Sequence, residues 1–165
     1  MQKITPFLWF DHQAVEAANF YTSVFKNSKI TEISYYTEGA PLPPGTVMSV
    51  SFELDGTKFM ALNGGPFAPF TEAISFFISA TGQEEIDYLW EKLICDGGSP
   101  GRCGWLKDKY GISWQVVPGN MKDLFEGGAG KAGRVMRAMM KMDKLVISEL
   151  QAAAATSDQS MESDH

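Results

Sequence analysis

Histidine and cysteine are scarce in this 165-residue chain, which has two of each. Zinc and iron centres draw on several such ligands at close spacing. His12 stands at a helix start and His165 is the last residue, with no second histidine or cysteine at ligand spacing. A histidine-based metal centre is therefore not expected, and His12 reads as a structural or surface residue. Cys95 and Cys103 are too few for a disulfide framework and read as reduced thiols of a cytoplasmic protein. Basic charge is also short: 14 Lys and Arg face 20 Asp and Glu, a net charge of −6. A nucleic-acid partner would want a basic face. No apolar run approaches the ~20 residues of a membrane span, and "MQKITPFLWF" lacks the long apolar core of a signal peptide. Neither nucleic acid nor membrane is an expected partner.

What is present is a structural unit that occurs twice. The segment "ITPFLWFDHQAVEAANFYTSVF" combines a strand pattern with an amphipathic helix, and the same order returns in "EAISFFISATGQEEIDYLWEKLI". Each copy is followed by β-rich sequence closing on a turn: "VMSVSFELDGTKFMALNGG", then "GWLKDKYGISWQVVPG". Self-similarity of this kind marks paired modules. Two such sheets, curved towards each other, would enclose a small-molecule cavity.

Residues 3–10 read as a strand, and Asp11 is placed to cap the helix after it. Ala14, Ala17, Ala18, Tyr21 and Phe25 fall on one helical stripe. A strand is expected over 29–37, and "EGAPLPPGT", with its three prolines and two glycines, is a loop. Asp55-Gly56 is the turn of a hairpin, since both residues tolerate positive φ. Beyond the Gly64-Gly65-Pro66 break, residues 72–80 form the next strand. Thr81 and Glu84 have capping-box spacing, and Ile86, Leu89, Trp90, Leu93 and Ile94 make a second stripe that Gly97-Gly98 ends. A hairpin around Tyr110-Gly111 and the strand "ISWQVVP" follow. Val135, Met136, Met139 and Met140 then form a methionine-rich helix face, a ligand wall or more simply core or subunit contact. "KLVISELQAAAA" is a further helix, and the polar, acidic "TSDQSMESDH" is expected to be disordered.

The glycine-rich "EGGAGKAGR" is not a phosphate loop. Phe125 stands where that motif needs its first glycine, and Ala132 where it needs Ser or Thr. A flexible linker accounts for it better. More informative is the cluster Cys103, Trp105, Asp108, Trp114 and Gln115. Alternation puts Ser113, Gln115 and Val117 on one face of the last strand, and Ile112, Trp114 and Val116 on the other. Gln115 among apolar neighbours either lines a cavity or meets solvent or a backbone group; both readings stand. Cys103 is either a reactive thiol near Lys107 and Lys109 or a small buried apolar residue.

The segments "ITPFLWFD", "EAANFYTSVFKNSKI", "FMALNGGP", "FTEAISF", "QEEIDYLWEKL" and "CGWLKDKYGISWQVVP", with "RVMRAMMKM" downstream, carry a family likeness. Over about residues 3–150 the chain resembles PhnB-like proteins of the vicinal oxygen chelate superfamily, which includes glyoxalase I, bleomycin-resistance proteins and extradiol dioxygenases. The resemblance implies an α+β protein of the glyoxalase/bleomycin resistance fold: two paired βαβββ modules around a cleft, C-terminal helices, and a homodimer. It also brings the label 3-demethylubiquinone-9 3-methyltransferase, although no glycine loop of the S-adenosylmethionine type follows a strand. "DKYGISWQV" is similar to the superfamily's closing D-x-x-G-x-x-x-E motif, with Gln115 in the place of the metal-binding glutamate. Thr5, Pro6, Phe7, Leu8 and Trp9 on the first strand offer no central ligand. Ser75, Phe76 and Phe77 stand in the histidine region of the second module, and Phe67 follows "GGP" where relatives carry histidine.

These implications set the expectations. One vicinal oxygen chelate domain spans 1–156, with module one at about 1–66, module two at about 70–120 and a helical extension over 121–156; residues 157–165 are a disordered tail. The protein binds a small organic ligand without a metal or other cofactor. Trp9, Asn63, Cys103, Trp105, Trp114 and Gln115 lie at the cleft's inner surfaces or rims. No catalytic residue is assigned. The alternatives are an enzyme (a metal-dependent lyase or isomerase, or the labelled methyltransferase) and a structural dimer with no ligand.

Overall fold

The structure, a computed structural model, describes residues 1–156. The tail expected to be disordered, 157–165, lies outside the described residues, and His165 with it. The chain divides into two compact units between Phe70 and Thr71.

The first unit contains β1 (Phe7–Phe10), α1 (Ala14–Val24), β2 (Lys29–Tyr35), β3 (Val47–Leu54) and β4 (Thr57–Asn63). Its strands lie in the order β1-β4-β3-β2, with β1 parallel to β4 and the other pairs antiparallel. The β3–β4 hairpin turns on Asp55 (φ 47°) and Gly56 (φ 79°), the left-handed pair that matches strand twist. The stripe Ala14, Ala17, Ala18 and Tyr21 is fully buried. Tyr21 stacks on Phe52 at 6.4 Å between ring centroids, and Phe52 on Phe59 at 5.6 Å, so α1 covers the sheet face that carries Phe52.

Asp11 does not cap α1. The N-cap position falls on Gln13, which makes no side-chain cap bond. The first helical N–H, that of Ala14, donates instead to Asn63 Oδ1 at 2.8 Å, from the far end of β4. Strand β1 begins at Phe7, later than residue 3, and the chain before it is tied down by Gln2, whose side chain bonds both the N–H and the carbonyl of Lys58.

The second unit repeats the topology. It has β5 (Ser75–Ala80), α2 (Gly82–Ile94), β6 (Ser99–Pro100), β7 (Trp105–Lys107) and β8 (Ser113–Pro118), in the order β5-β8-β7-β6, with β5 parallel to β8. The expected βαβββ arrangement is thus present in both units. The capping box is not formed: Thr81 stands at the N-cap without a side-chain bond. Gly82 opens the helix at φ 85°, which carries the first turn away from Thr81 and spoils the reciprocal geometry. Three helices follow: α3 (Met121–Phe125), α4 (Ala129–Met139) and α5 (Ile147–Ala155).

Most of the glycine-rich stretch expected to be a linker is helix. Only Glu126, Gly127 and Gly128 stay outside α4. Tertiary contacts override the poor glycine propensity. Val135 is fully buried with Val117, Leu124, Leu145 and Leu150, and the Arg134 guanidinium donates to the carbonyls of Ala153 and Ala154 at the end of α5. The methionines do not share one buried face. Met139 packs against this core, while Met136 and Met140 are exposed.

Candidate functional site

Strand register sorts the side chains of the second unit into two faces. Leu106, Trp114 and Val116 are buried and share one face, against which α2 packs through Ile86, Leu89, Trp90 and Leu93. The opposite face consists of three rows. Ser75, Ser113 and Lys107 are register partners in the first. Phe77, Gln115 and Trp105 form the second, and Ser79 and Val117 the third.

Gln115 is half-buried in the middle row, flanked by exposed Phe77 and half-buried Trp105. Its amide N–H donates to Ser75 Oγ at 3.0 Å, so the side chain reaches diagonally to the row that Ser75 shares with Ser113. Ser113 is 1% exposed, and its Oγ has no hydrogen-bond partner among the described residues. Beside it, Lys107 pairs with Glu72 at 2.6 Å. The Lys107 ammonium, chiefly by that hydrogen bond, holds the Glu72 carboxyl below its usual range. The third row is closed by the C-terminal helices, because Val117 belongs to their core.

The remaining residues expected at the site are placed otherwise. Trp114 lies on the α2 face, 3% exposed, with its ring 5.2 Å from Phe76 and its indole N–H on Asp108 Oδ2 at 2.8 Å. Asp108 is buried and also accepts from the N–H groups of Tyr110 and Ile112. It thereby organises the turn of the second hairpin. Asn63 does not offer its amide at a cleft mouth: it is buried on the α1 face, with its oxygen committed to Ala14 and its nitrogen to the Val47 carbonyl. Both differences follow from pleating, which sends alternate residues to opposite faces. Cys103 occupies a turn at φ 58°, half-buried, with Sγ 3.4 Å from Met140 Sδ.

Trp9 is 37% exposed on the first unit's face away from α1, and its indole N–H donates to the Gly65 carbonyl at 2.8 Å. The ring rests on Gly64, where a Cβ would fall 2.5 Å from it. A groove of about 290 Å³ lies in the first unit, lined by Thr5, Thr31, Ser51, Glu53, Lys58 and Met60 among others. None of the expected site residues lines it. Sequence reasoning did not single out Ser113, although the alternation that placed Gln115 carries Ser113 to the same face.

The residues present do not fit a chelated divalent metal. Among the described residues no three His, Cys, Asp or Glu side chains gather to hold one, and Gln115 offers only a neutral amide oxygen, a weak ligand for a hard cation. Neither do they fit the dinucleotide-type crevice at the carboxyl ends of an open parallel sheet: each sheet has one parallel pair. No helix among the described residues is long and apolar enough to cross a membrane.

Residues 2–117 match the model of a family described as 3-demethylubiquinone-9 3-methyltransferase; α3, α4 and α5 lie beyond that match. The chain is similar to the PhnB protein of Bacillus cereus, which carries the same description. The two are 40% identical over 71% of this chain and 99% of that one, with a TM-score of 0.64. It is also similar in fold to protein PA1353 of Pseudomonas aeruginosa, at 19% identity over 72% of this chain and 98% of that one, with a TM-score of 0.60. The fosfomycin resistance protein FosX of Listeria monocytogenes shares the fold at 18% identity, over 74% and 94% of the two chains, with a TM-score of 0.50. No curated protein matches the chain.

Proposed function

The chain belongs to the 3-demethylubiquinone-9 3-methyltransferase (PhnB) family of the vicinal oxygen chelate superfamily, and on that premise we propose that it is a metal-independent binding protein for a small organic molecule. One observation carries the reading. The sheet face turned away from α2 presents a half-buried amide, Gln115, between two aromatic side chains, Phe77 and Trp105. Apolar walls with a few placed polar groups are the usual make-up of a ligand site. One amide both donates and accepts, which suits a carbonyl or hydroxyl on the ligand. In the described residues the amide's hydrogen bond is to the Ser75 hydroxyl, a neutral partner that a ligand can displace.

The remainder of the proposal is that residues 1–156 act as one domain, in a homodimer, in the cytoplasm. Two free thiols suit a reducing compartment. Exposed Phe67 and Ile74 are apolar surface that a second copy would cover. Light scattering at micromolar concentration should give the dimer mass, unchanged by deletion of 157–165.

The binding reading is tested by native mass spectrometry of protein purified without chelator, followed by titration of whatever small molecule co-purifies. Gln115→Leu should weaken that binding by about 1–3 kcal/mol and leave the melting temperature nearly unchanged. Undiminished affinity in the variant, or stoichiometric zinc, nickel or manganese in the parent, would sink the proposal. The family's description favours the enzymatic alternative. Calorimetric titration with S-adenosylmethionine separates the two readings, since a binding isotherm would support the methyltransferase.

A further inference from the structure

The first sheet's face turned away from α1 carries polar side chains that have no partner among the described residues. The groove of about 290 Å³ in this unit is lined by Thr5, Thr31, Ser51, Glu53, Lys58 and Met60 among others. Strand register explains the gathering. Phe52 and Phe59 are partners on the face that α1 covers, so the pairs to either side, Ser51 with Met60 and Glu53 with Lys58, project to the other face. Thr31 is the extra residue of β2 at the register shift between Ile30 and Glu32.

Glu53 and Lys58 stand directly opposite each other, with Cβ atoms about 5 Å apart. Yet neither charge is in an ion pair among the described residues. The hydroxyls of Thr5, Thr31 and Ser51 likewise make no hydrogen bond within the described residues. Ser49, on the same face two residues before Ser51, is bonded to Ser34. In the second unit Lys107 and Glu72 take each other. The groove thus collects the unmatched groups of its sheet.

We propose that this groove is a separate binding site for an α-amino acid in its zwitterionic form. The ligand's ammonium meets Glu53, its carboxylate meets Lys58, and an apolar side chain lies over Met60. Charge selects the class. A simple anion drawn to Lys58 also meets the Glu53 carboxylate, and a simple cation drawn to Glu53 meets the Lys58 ammonium. An uncharged molecule leaves both without a counter-charge. Only a ligand with both signs matches the pair, and the short span between the two strands suits charges borne on neighbouring atoms. The surroundings agree: Lys29 stands opposite Glu53 and Glu32 opposite Ser51 on β2, so the face holds two charges of each sign. Serine and threonine hydroxyls both donate and accept, so they serve either end of a zwitterion. Sites for drug-sized molecules run from about 300 Å³ upward, so this groove takes a smaller one. The inference stands apart from the Gln115 site, which belongs to the other unit.

Three probes test it by calorimetric titration of the full chain at neutral pH and low salt. L-leucine carries both charges, isoamylamine only the ammonium and isocaproate only the carboxylate. Leucine should bind about tenfold more tightly than either analogue, since each end adds a charge-assisted hydrogen bond. Glu53→Gln should weaken leucine and isoamylamine but not isocaproate. Lys58→Met should weaken leucine and isocaproate but not isoamylamine. Neither substitution breaks a side-chain bond within the described residues, so both variants should melt with the parent. Gln115→Leu should bind leucine as the parent does. Loss of leucine binding in Gln115→Leu would move the ligand to the other unit and overturn this inference while sparing the function proposed above. An analogue that binds as well as leucine would overturn the zwitterion. Undiminished leucine binding in Glu53→Gln or Lys58→Met, or no binding of any probe, would remove the site.

Discussion

The two units share a topology and differ in how each secures it. In both, the first strand runs parallel to the last, and a helix covers one sheet face. In the first, the residue ending β4 is Asn63, paired with Phe10, and its side chain caps α1. The equivalent position in the second is Pro118, paired with Ala80, which has no side-chain acceptor to offer. There the order comes from elsewhere. Asp108 gathers three N–H groups in the β7–β8 turn. Gln83, one residue into α2, bonds the Leu145 carbonyl and the Ile147 N–H. The backbone N–H groups of Cys103 and Gly104 donate to the carbonyls of Met142 and Asp143. One topology thus stands on a tie within the repeated core in one copy and on an added helical segment in the other.

The largest test of this contrast is Leu150→Ala. Leu150 is the fully buried residue of α5, and its truncation should cost about 2–5 kcal/mol. In urea, followed by tryptophan fluorescence, the second unit should unfold with its C-terminal helices in one transition. A separate early transition for α3–α5, with Trp105 and Trp114 still native, would break the claim that they secure the module.

Next in size is Asp108→Ala. It leaves three donors without their carboxylate, two of them in the half-buried or buried turn and one on a buried indole, for a loss on the order of 3 kcal/mol. Its counterpart in the first unit, Asn63→Ala, should cost about 1–2 kcal/mol, the range for a lost helix cap. Chemical denaturation midpoints would rank the two. Equal losses would mean that the modules are secured alike.

The smallest effect is a pH dependence. Asp87, at the surface of α2, bonds Lys144 at 2.8 Å and Gln83 at 2.9 Å, and these bonds hold its carboxyl below the ordinary range. A carboxyl lowered on folding contributes stability that is present above its unfolded pKa and is lost as pH falls through the folded one. The parent should therefore lose slightly more stability than Asp87→Asn below about pH 5. Melting temperatures measured from pH 7 to pH 3 would sharpen the point; parallel curves would show that the Lys144 tie does not support the segment.

Local pattern alone located a good deal. Ala14, Ala17, Ala18 and Tyr21 recur at helical spacing because one face must be dry, and all four are buried. Asp55-Gly56 announced its turn because few other pairs accept two positive φ angles. The alternation around Gln115 separated it from Trp114, and the structure keeps them on opposite faces. Family membership was also legible, in motifs spread along the chain.

Other features were set by contacts between residues far apart in sequence. Asn63 caps a helix 49 positions earlier, so nothing beside Ala14 could announce it, and the nearer Asp11 was the natural but unused choice. Alternation separated Trp114 from Gln115 but left open which of the two faces α2 would cover; α2 packs on the face that carries Trp114. The glycine-rich start of α4 became helical because Arg134 and Val135 found partners on α5 and in the core it shares with β8. Amino-acid sequence determines periodicity and turn chemistry, which depend on near neighbours. Which polar group satisfies which, and which hydroxyl is left sealed without a partner among the described residues, as at Ser113, depends on strand register and packing, and only the tertiary structure decided it.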